Sequence, residues 1–335
     1  MSQQETGGMP EKTNNDDRLT ISKLSPTSFY ERVQSEFTQL QRQEDPRRIN
    51  FTSSLKNKHK NRYLDILANE ATIYPLPTDT GNVGSGSSTK CYINGNLIDL
   101  GLSHTFVACQ APLSHGIHDF LTVLYEKKIS LVIMLTKLNE GGIAKADCYW
   151  PKENELFISA PGSVGIKVST DPLKPYEVDT KLKITRRHLI LQRSEEPSHK
   201  ILQVQYTGWP DHGVPLSAAS FETLLSIIKE APTDVPVLVH CSAGIGRTGT
   251  LIGTYGVLSH LENGTLHDKT VYDIVSTMKR QRFGMVQRLE QYIVIYLTLL
   301  SRIGTDTTEF VTLLNQKLQT AASATIIAKT QSRTR

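Results

Sequence analysis

The stretch VLVHCSAGIGRTGT, Val237 to Thr250, runs an apolar strand into a cysteine, then into small residues and glycines, then into an arginine. Core cysteines ordinarily sit among branched apolar residues, whereas Cys241 opens a loop that is nearly bare backbone. The pattern predicts a buried strand over 236–240 ending at His240, then a loop, then a helix through RTGTLIGTYGVLSHLE. A loop so placed aims its N–H groups at one point. Ser242, Ala243, Gly244, Ile245 and Gly246 would form an anion-binding nest, reinforced by the helix N-terminus. The planar fork of Arg247 can hold two oxygens of a phosphate at once. Cys241 lies at the base of this cradle, where nest, helix dipole and arginine all favour a thiolate. A thiolate beneath a bound phosphate is placed for in-line attack on phosphorus. Thr248 can give it a hydrogen bond and help it leave. The GxxxxGKS/T pattern of a nucleotide-binding loop is absent.

The rest of the chain sets the frame. Its 335 residues are 38% hydrophobic and 21% charged, enough for a sizeable core. A net charge of +4 does not argue for nucleic-acid binding. Cys91, Cys109, Cys148 and Cys241 show no CxxC spacing and read as free thiols of a reducing compartment. No secretory signal, bilayer-length apolar run, or lipidation motif is visible. The expectation is a soluble monomer, cytoplasmic and, through the basic run KNKHKNR at 56–62, also nuclear. That run otherwise reads as a solvated face. Residues 1–24 read as a disordered tail. A helix is expected from Ser25 and Pro26, with Phe29, Val33, Phe37 and Leu40 on one face. LVIMLT at 131–136 and ILQVQY at 201–206 read as strands, and DKTVYDIVSTMKRQR and LEQYIVIYLTLLSRI as helices. Residues 77–90 read as a Gly/Ser loop, 25–304 as one α/β domain, and 305–335 as a tail, partly helical or disordered. His115 and His118 have i,i+3 spacing and read as surface histidines rather than metal ligands.

A second stretch supplies an acid. WPDHGVP, 209–215, holds Asp211 between a rigid Pro210 and a Gly213 pivot, with Trp209 as an apolar anchor. Such a loop can swing closed over a bound anion and protonate a departing oxygen. Together, VHCSAGIGRTGT and WPDHGVP resemble the signature and acid loops of the cysteine-dependent, non-receptor-type protein tyrosine phosphatase family. The likeness extends over about 28–302. It implies a single α/β domain with a highly twisted mixed sheet flanked by helices. It also implies hydrolysis of phosphotyrosine through a cysteinyl-phosphate, with no cofactor or metal, and inhibition by oxyanions such as vanadate.

The resemblance extends residue by residue. FGMVQRLEQY is similar to the family's glutamine loop, with Gln287 placing the second-step water and Gln291 supporting it. MLTKLNEGGIAKADCYWP resembles the segment whose glutamate, here Glu140, pairs with the signature arginine, and whose lysine, here Lys145, lies near the acid loop. KHKNRYLDIL resembles the phosphotyrosine-recognition loop: Tyr63 would stack on the substrate ring and set pocket depth, and Asp65 would accept from substrate N–H groups. There are departures. His212 stands where the family usually has Phe, Arg288 where Thr is common, Cys109 where Thr is usual, and Leu121 where Trp is usual. Two alternatives stay open: a catalytically silent phosphotyrosine-binding module, which should lack Cys241, Arg247 or Asp211, and a dual-specificity or phosphoinositide phosphatase, which should lack the recognition loop. An accessible thiolate is also the thiol most readily oxidised, so Cys241 is expected to be redox-sensitive.

Overall fold

The computed structural model describes residues 19–74, 91–174, 176–209 and 218–333. The whole Gly/Ser loop at 77–90 lies outside them, as does Asp211 with the rest of 210–217. In chain order the helices are α1 (Pro26–Gln43), α2 (Thr52–Lys56), α3 (Ile117–Glu126), α4 (Ala218–Lys229), α5 (Gly246–Glu262), α6 (Thr270–Gln281), α7 (Leu289–Arg302) and α8 (Thr308–Arg333). The strands are β1 (Gly95–Ile98), β2 (Phe106–Cys109), β3 (Leu131–Met134), β4 (Asn139–Glu140), β5 (Ile143–Ala144), β6 (Glu155–Ile158), β7 (Ile166–Thr170), β8 (Glu177–Asp179), β9 (Ile184–Gln192), β10 (His199–Tyr206) and β11 (Val237–His240).

Among the described residues nine strands form one mixed sheet in the order β1-β2-β11-β3-β10-β9-β7-β6, with β8 pairing β9. The four central strands, β2, β11, β3 and β10, are parallel; the flanking pairs are antiparallel. β4 and β5 form a separate hairpin. β11 sits between β2 and β3 and is buried along its whole length. Alternation of side chains then splits the core in two. Val237 and Val239 face one side with Phe106, Ala108, Leu131 and Ile133, under α1, α4, α5, α6 and α7. Leu238 faces the other with Val107, Val132 and Met134, under α3. A fully buried central strand explains why VLVH carries no polar alternation before its last residue. The carboxyl ends of parallel strands are where open α/β sheets place ligands, and Cys241 follows directly on β11.

Helix α1 starts as its sequence predicts. Ser25 accepts from Ser28 N, Pro26 occupies the first turn, and Phe29, Val33, Phe37 and Leu40 are buried. The order begins before the expected Ser25, however. Thr20–Lys23 form a 3₁₀ turn, and Leu19 and Ile21 are buried in the core. Thr20 hydrogen-bonds Asp268, closing that segment onto the loop before α6. Two apolar residues among polar neighbours were too sparse a signal to stand out from a tail. At the other end α8 is a long helix, and Phe310 and Leu314 are buried, with Phe310 edge-on to Phe29 at 5.0 Å. No helix among the described residues is long and apolar enough to cross a membrane.

Candidate active site

The loop after β11 curls because its carbonyls are pulled outward one after another. Ser242 O accepts from Ala111 N at 3.0 Å, and Ile245 O accepts from Val286 N at 3.0 Å. Between them, Arg282 takes the Ala243 and Gly244 carbonyls at 3.1 and 2.8 Å. In a trans peptide the next N–H points opposite the carbonyl. The amides of residues 243–246 are therefore turned toward the inside of the curl, as a nest requires. Gly244 N donates to Cys241 Sγ at 3.2 Å. Gly244 has φ +72°, and a Cβ there would lie 2.0 Å from the Cys109 carbonyl oxygen, so only glycine fits.

Cys241 lies on the wall of a cavity of about 260 Å³ shared with Tyr63, Asp65, Ile66, Glu140, Lys145, Trp209, Ser242, Ala243, Gly246, Arg247, Gln287, Arg288 and Gln291. Arg247 is held on one edge of its fork. Nη1 and Nη2 donate to the two oxygens of Glu140 at 2.6 and 2.8 Å, and Nη1 also to Leu135 O at 3.1 Å. Glu140 is fixed in turn by Thr136 Oγ1 at 2.9 Å and Lys137 N at 3.2 Å. Ser242 Oγ donates to Lys145 O at 2.7 Å, which uses its only proton. The 2.8 Å contact between Tyr63 and Ser242 is therefore a donation from the tyrosine hydroxyl. It sets the phenol upright as one wall of the cavity. Across the cavity a methyl on Gly246 would meet the Gln291 amide at 2.8 Å and Gln287 Oε1 at 3.4 Å, so both glutamines lie over the loop. Gln291 Oε1 accepts from Arg288 N at 3.1 Å. Trp209 is buried against Phe221 at the entrance to the acid-bearing stretch.

His240 stands behind Cys241 and is fully buried. Its Nδ1 faces Cys241 O at 3.1 Å and must donate; Nε2 then accepts from Tyr149 at 2.9 Å. Burial pushes its pKa down to about 4, which keeps this neutral tautomer.

Every predicted site residue among those described is at or behind this cavity. Thr248 is the exception in detail. Its hydroxyl is buried with no hydrogen-bond partner, so the expected bond to Cys241 is not made. Asp211, the predicted acid, lies outside the described residues. The run at 56–62 is only partly a solvated face. Lys60 pairs with Asp119 at 2.5 Å, and Arg62 donates to Ala111 O, Pro112 O and Asp147. Gln110 completes the clamp, accepting from Arg62 N and donating to Lys60 O. His118 is buried rather than superficial, bonded to Val164 O at 3.0 Å. Among the described residues no group of three or more His, Cys, Asp or Glu is placed to hold a metal.

Sequence reasoning missed Arg282. It is fully buried and, among the described residues, bonds only neutral oxygens: the two loop carbonyls, Asn96 at 2.7 Å and Asn94 at 2.9 Å. Burial pushes its pKa down to about 10, still well charged near neutrality. A cation thus sits beneath the curled loop. Its only sequence trace is the basic run KRQR that ends the helical stretch DKTVYDIVSTMKRQR.

The Protein-tyrosine phosphatase family model matches residues 57–301. The chain belongs to the protein-tyrosine phosphatase family. Tyrosine-protein phosphatase non-receptor type 20 from human is 34% identical over 269 residues, covering 79% of this chain and 59% of the relative. This chain thus spans less than two thirds of that relative. Among solved structures, the Trypanosoma cruzi protein tyrosine phosphatase TcPTP1 is 64% identical with a TM-score of 0.83, covering 89% of this chain and 99% of the other. Trypanosoma brucei TbPTP1 is 58% identical with a TM-score of 0.82, covering 88% and 99%. The mixed sheet flanked by helices is the architecture of these phosphatase domains.

Proposed function

We propose that the protein hydrolyses phosphotyrosine in proteins and peptides through a phosphocysteine at Cys241. The observation that carries this is Cys241 beneath an inward-turned nest, facing a cavity whose Arg247 is held bidentately by Glu140. Arg247 and the amides of 243–246 bind the phosphoryl oxygens and stabilise the charge that spreads over them in the transition state. The Cys241 thiolate attacks phosphorus; the S–P bond forms as the P–O bond to tyrosine breaks, and Asp211 gives its proton to the leaving phenolate. In the second step Gln287, supported by Gln291, orients a water. Asp211 takes the water's proton as its oxygen attacks phosphorus, and the S–P bond breaks to return the thiolate and phosphate. Glu140 holds Arg247 ready for phosphate, Lys145 supports the acid loop, and Asp65 accepts from substrate N–H groups. The wall formed by Tyr63 favours the long phosphotyrosine over shorter phosphoserine or phosphothreonine, and vanadate occupies the same cradle.

The test is relative turnover of phosphotyrosine, phosphothreonine and phosphoinositide substrates in reducing buffer with chelator. Selective turnover of phosphotyrosine is expected. Comparable turnover of phosphoinositide would move the protein to the dual-specificity class, and binding without turnover would make it a silent module.

A further inference from the structure

Arg288 is not needed by its own helix. It occupies the N-cap of α7, where Ser, Thr, Asp or Asn would accept from the first-turn amides. A guanidinium accepts nothing, and its charge opposes the positive end of the helix dipole. The backbone of Arg288 does the structural work, through Gln291 Oε1 on its N–H and Gln291 N on its carbonyl at 3.1 Å. Its side chain is exposed and, among the described residues, has no ion-pair partner. That side chain belongs to the lining of the catalytic cavity, next to Gln287. Among the described lining residues Glu140 and Arg247 neutralise each other, leaving the carboxylate of Asp65 beside two cations, Lys145 and Arg288. The cavity floor takes the phosphate of the phosphotyrosine, so Arg288 is a surplus cation at its rim. An extended peptide advances about 3.3 Å per residue, which brings a residue one or two places from the phosphotyrosine within reach of an arginine on that rim.

We propose that Arg288 is a specificity-determining residue: it forms a subsite for a second anionic group on the same substrate chain, one or two residues from the phosphotyrosine. The inference rests on the phosphatase reading above. A carboxylate or a second phosphate would each satisfy the guanidinium fork, the phosphate with greater charge.

The test compares kcat/KM on phosphotyrosine peptides that carry alanine, glutamate, lysine or phosphothreonine at the neighbouring positions. In the wild type, glutamate should raise kcat/KM over alanine about threefold to fivefold, as for an exposed ion pair. Phosphothreonine should raise it about tenfold through a bidentate contact. Both ratios should shrink with added salt. Arg288→Gln should bring them close to one, Arg288→Lys should keep part of the preference, and Arg288→Glu should turn it toward lysine-flanked peptides. Using ratios within one variant cancels any change in folding or in basal rate. A response to glutamate, to phosphothreonine or to both supports the subsite and identifies its ligand. No preference in the wild type, or a preference unchanged in Arg288→Gln, overturns it. Failure of the wild type to turn over any of these phosphotyrosine peptides would overturn the phosphatase reading instead.

Discussion

Gly244 has no room for a methyl group, and that intolerance is a test of the cradle. Gly244→Ala combines a left-handed backbone with a clash on the Cys109 carbonyl. Each effect costs about 1–3 kcal/mol, so the variant should lose at least about 2 kcal/mol in urea unfolding and most of its activity. Glu140→Ala should act differently. It removes the clamp on Arg247, whose misplacement by about 1 Å should lower kcat/KM about 10²-fold. A kinetic change below threefold in that variant would show that Arg247 needs no clamp. Cys241 should also be the first thiol oxidised by dilute peroxide. Burial pushes the Cys91 and Cys109 thiols up to about 12, so neither offers thiolate near neutral pH. Peptide mass spectrometry after brief exposure checks this; earlier modification of Cys91, Cys109 or Cys148 would contradict it. Cys241 and Arg247 were legible in the sequence because a nest needs contiguous residues. Arg282 was not, since whether a guanidinium is buried depends on what folds over it, here Asn94, Asn96 and the loop itself.

Helix α1 braces the site without lining its cavity. Glu36 Oε2 accepts from Tyr292 and Tyr296 at 3.0 and 2.7 Å, and Tyr292 directly follows Gln291. At the end of α1, Glu44 accepts from Gly284 N at 2.7 Å and pairs with buried Lys279 at 2.6 Å. The glutamine loop is thus tethered before and after Gln287. Glu44→Ala strands the Lys279 charge and should cost about 3–5 kcal/mol by denaturant unfolding. It should also slow water attack, so more phosphoenzyme should accumulate at steady state in rapid-quench samples. An unchanged phosphoenzyme level would separate this tether from the water step. The helices themselves were readable from apolar periodicity and from the Ser25 and Pro26 start of α1. These polar ties were not, because partners such as Glu36 and Tyr296 stand 260 residues apart and carry no local pattern.

At the scale of the whole molecule, the sheet places a neutral histidine at its centre, and this makes stability depend on pH. Unfolded, His240 takes a proton near pH 6.5; folded, only near 4. Below pH 6.5 the unfolded chain binds more protons, so stability falls as pH drops and levels off below about 4. The contribution is about 2 kcal/mol by pH 5 and about 3 in full. The drop in Tm between pH 7 and 5 should therefore be smaller in His240→Gln than in the wild type; an equal drop would show that His240 does not remain neutral in the fold. The mixed architecture was legible because buried apolar runs such as LVIM and VLVH mark central strands. The strand order was not, since β11 inserts between β2 and β3 through long-range pairing. In the proposed mechanism this architecture presents one thiol at the end of β11. The most direct measurement mixes the enzyme with a ³²P-labelled phosphotyrosine peptide, quenches within milliseconds, and maps the label. The label should map to Cys241 through an S–P bond, and none should be found in Cys241→Ser, which should still bind the peptide. Label on any other residue, or turnover surviving in Cys241→Ser, would contradict it.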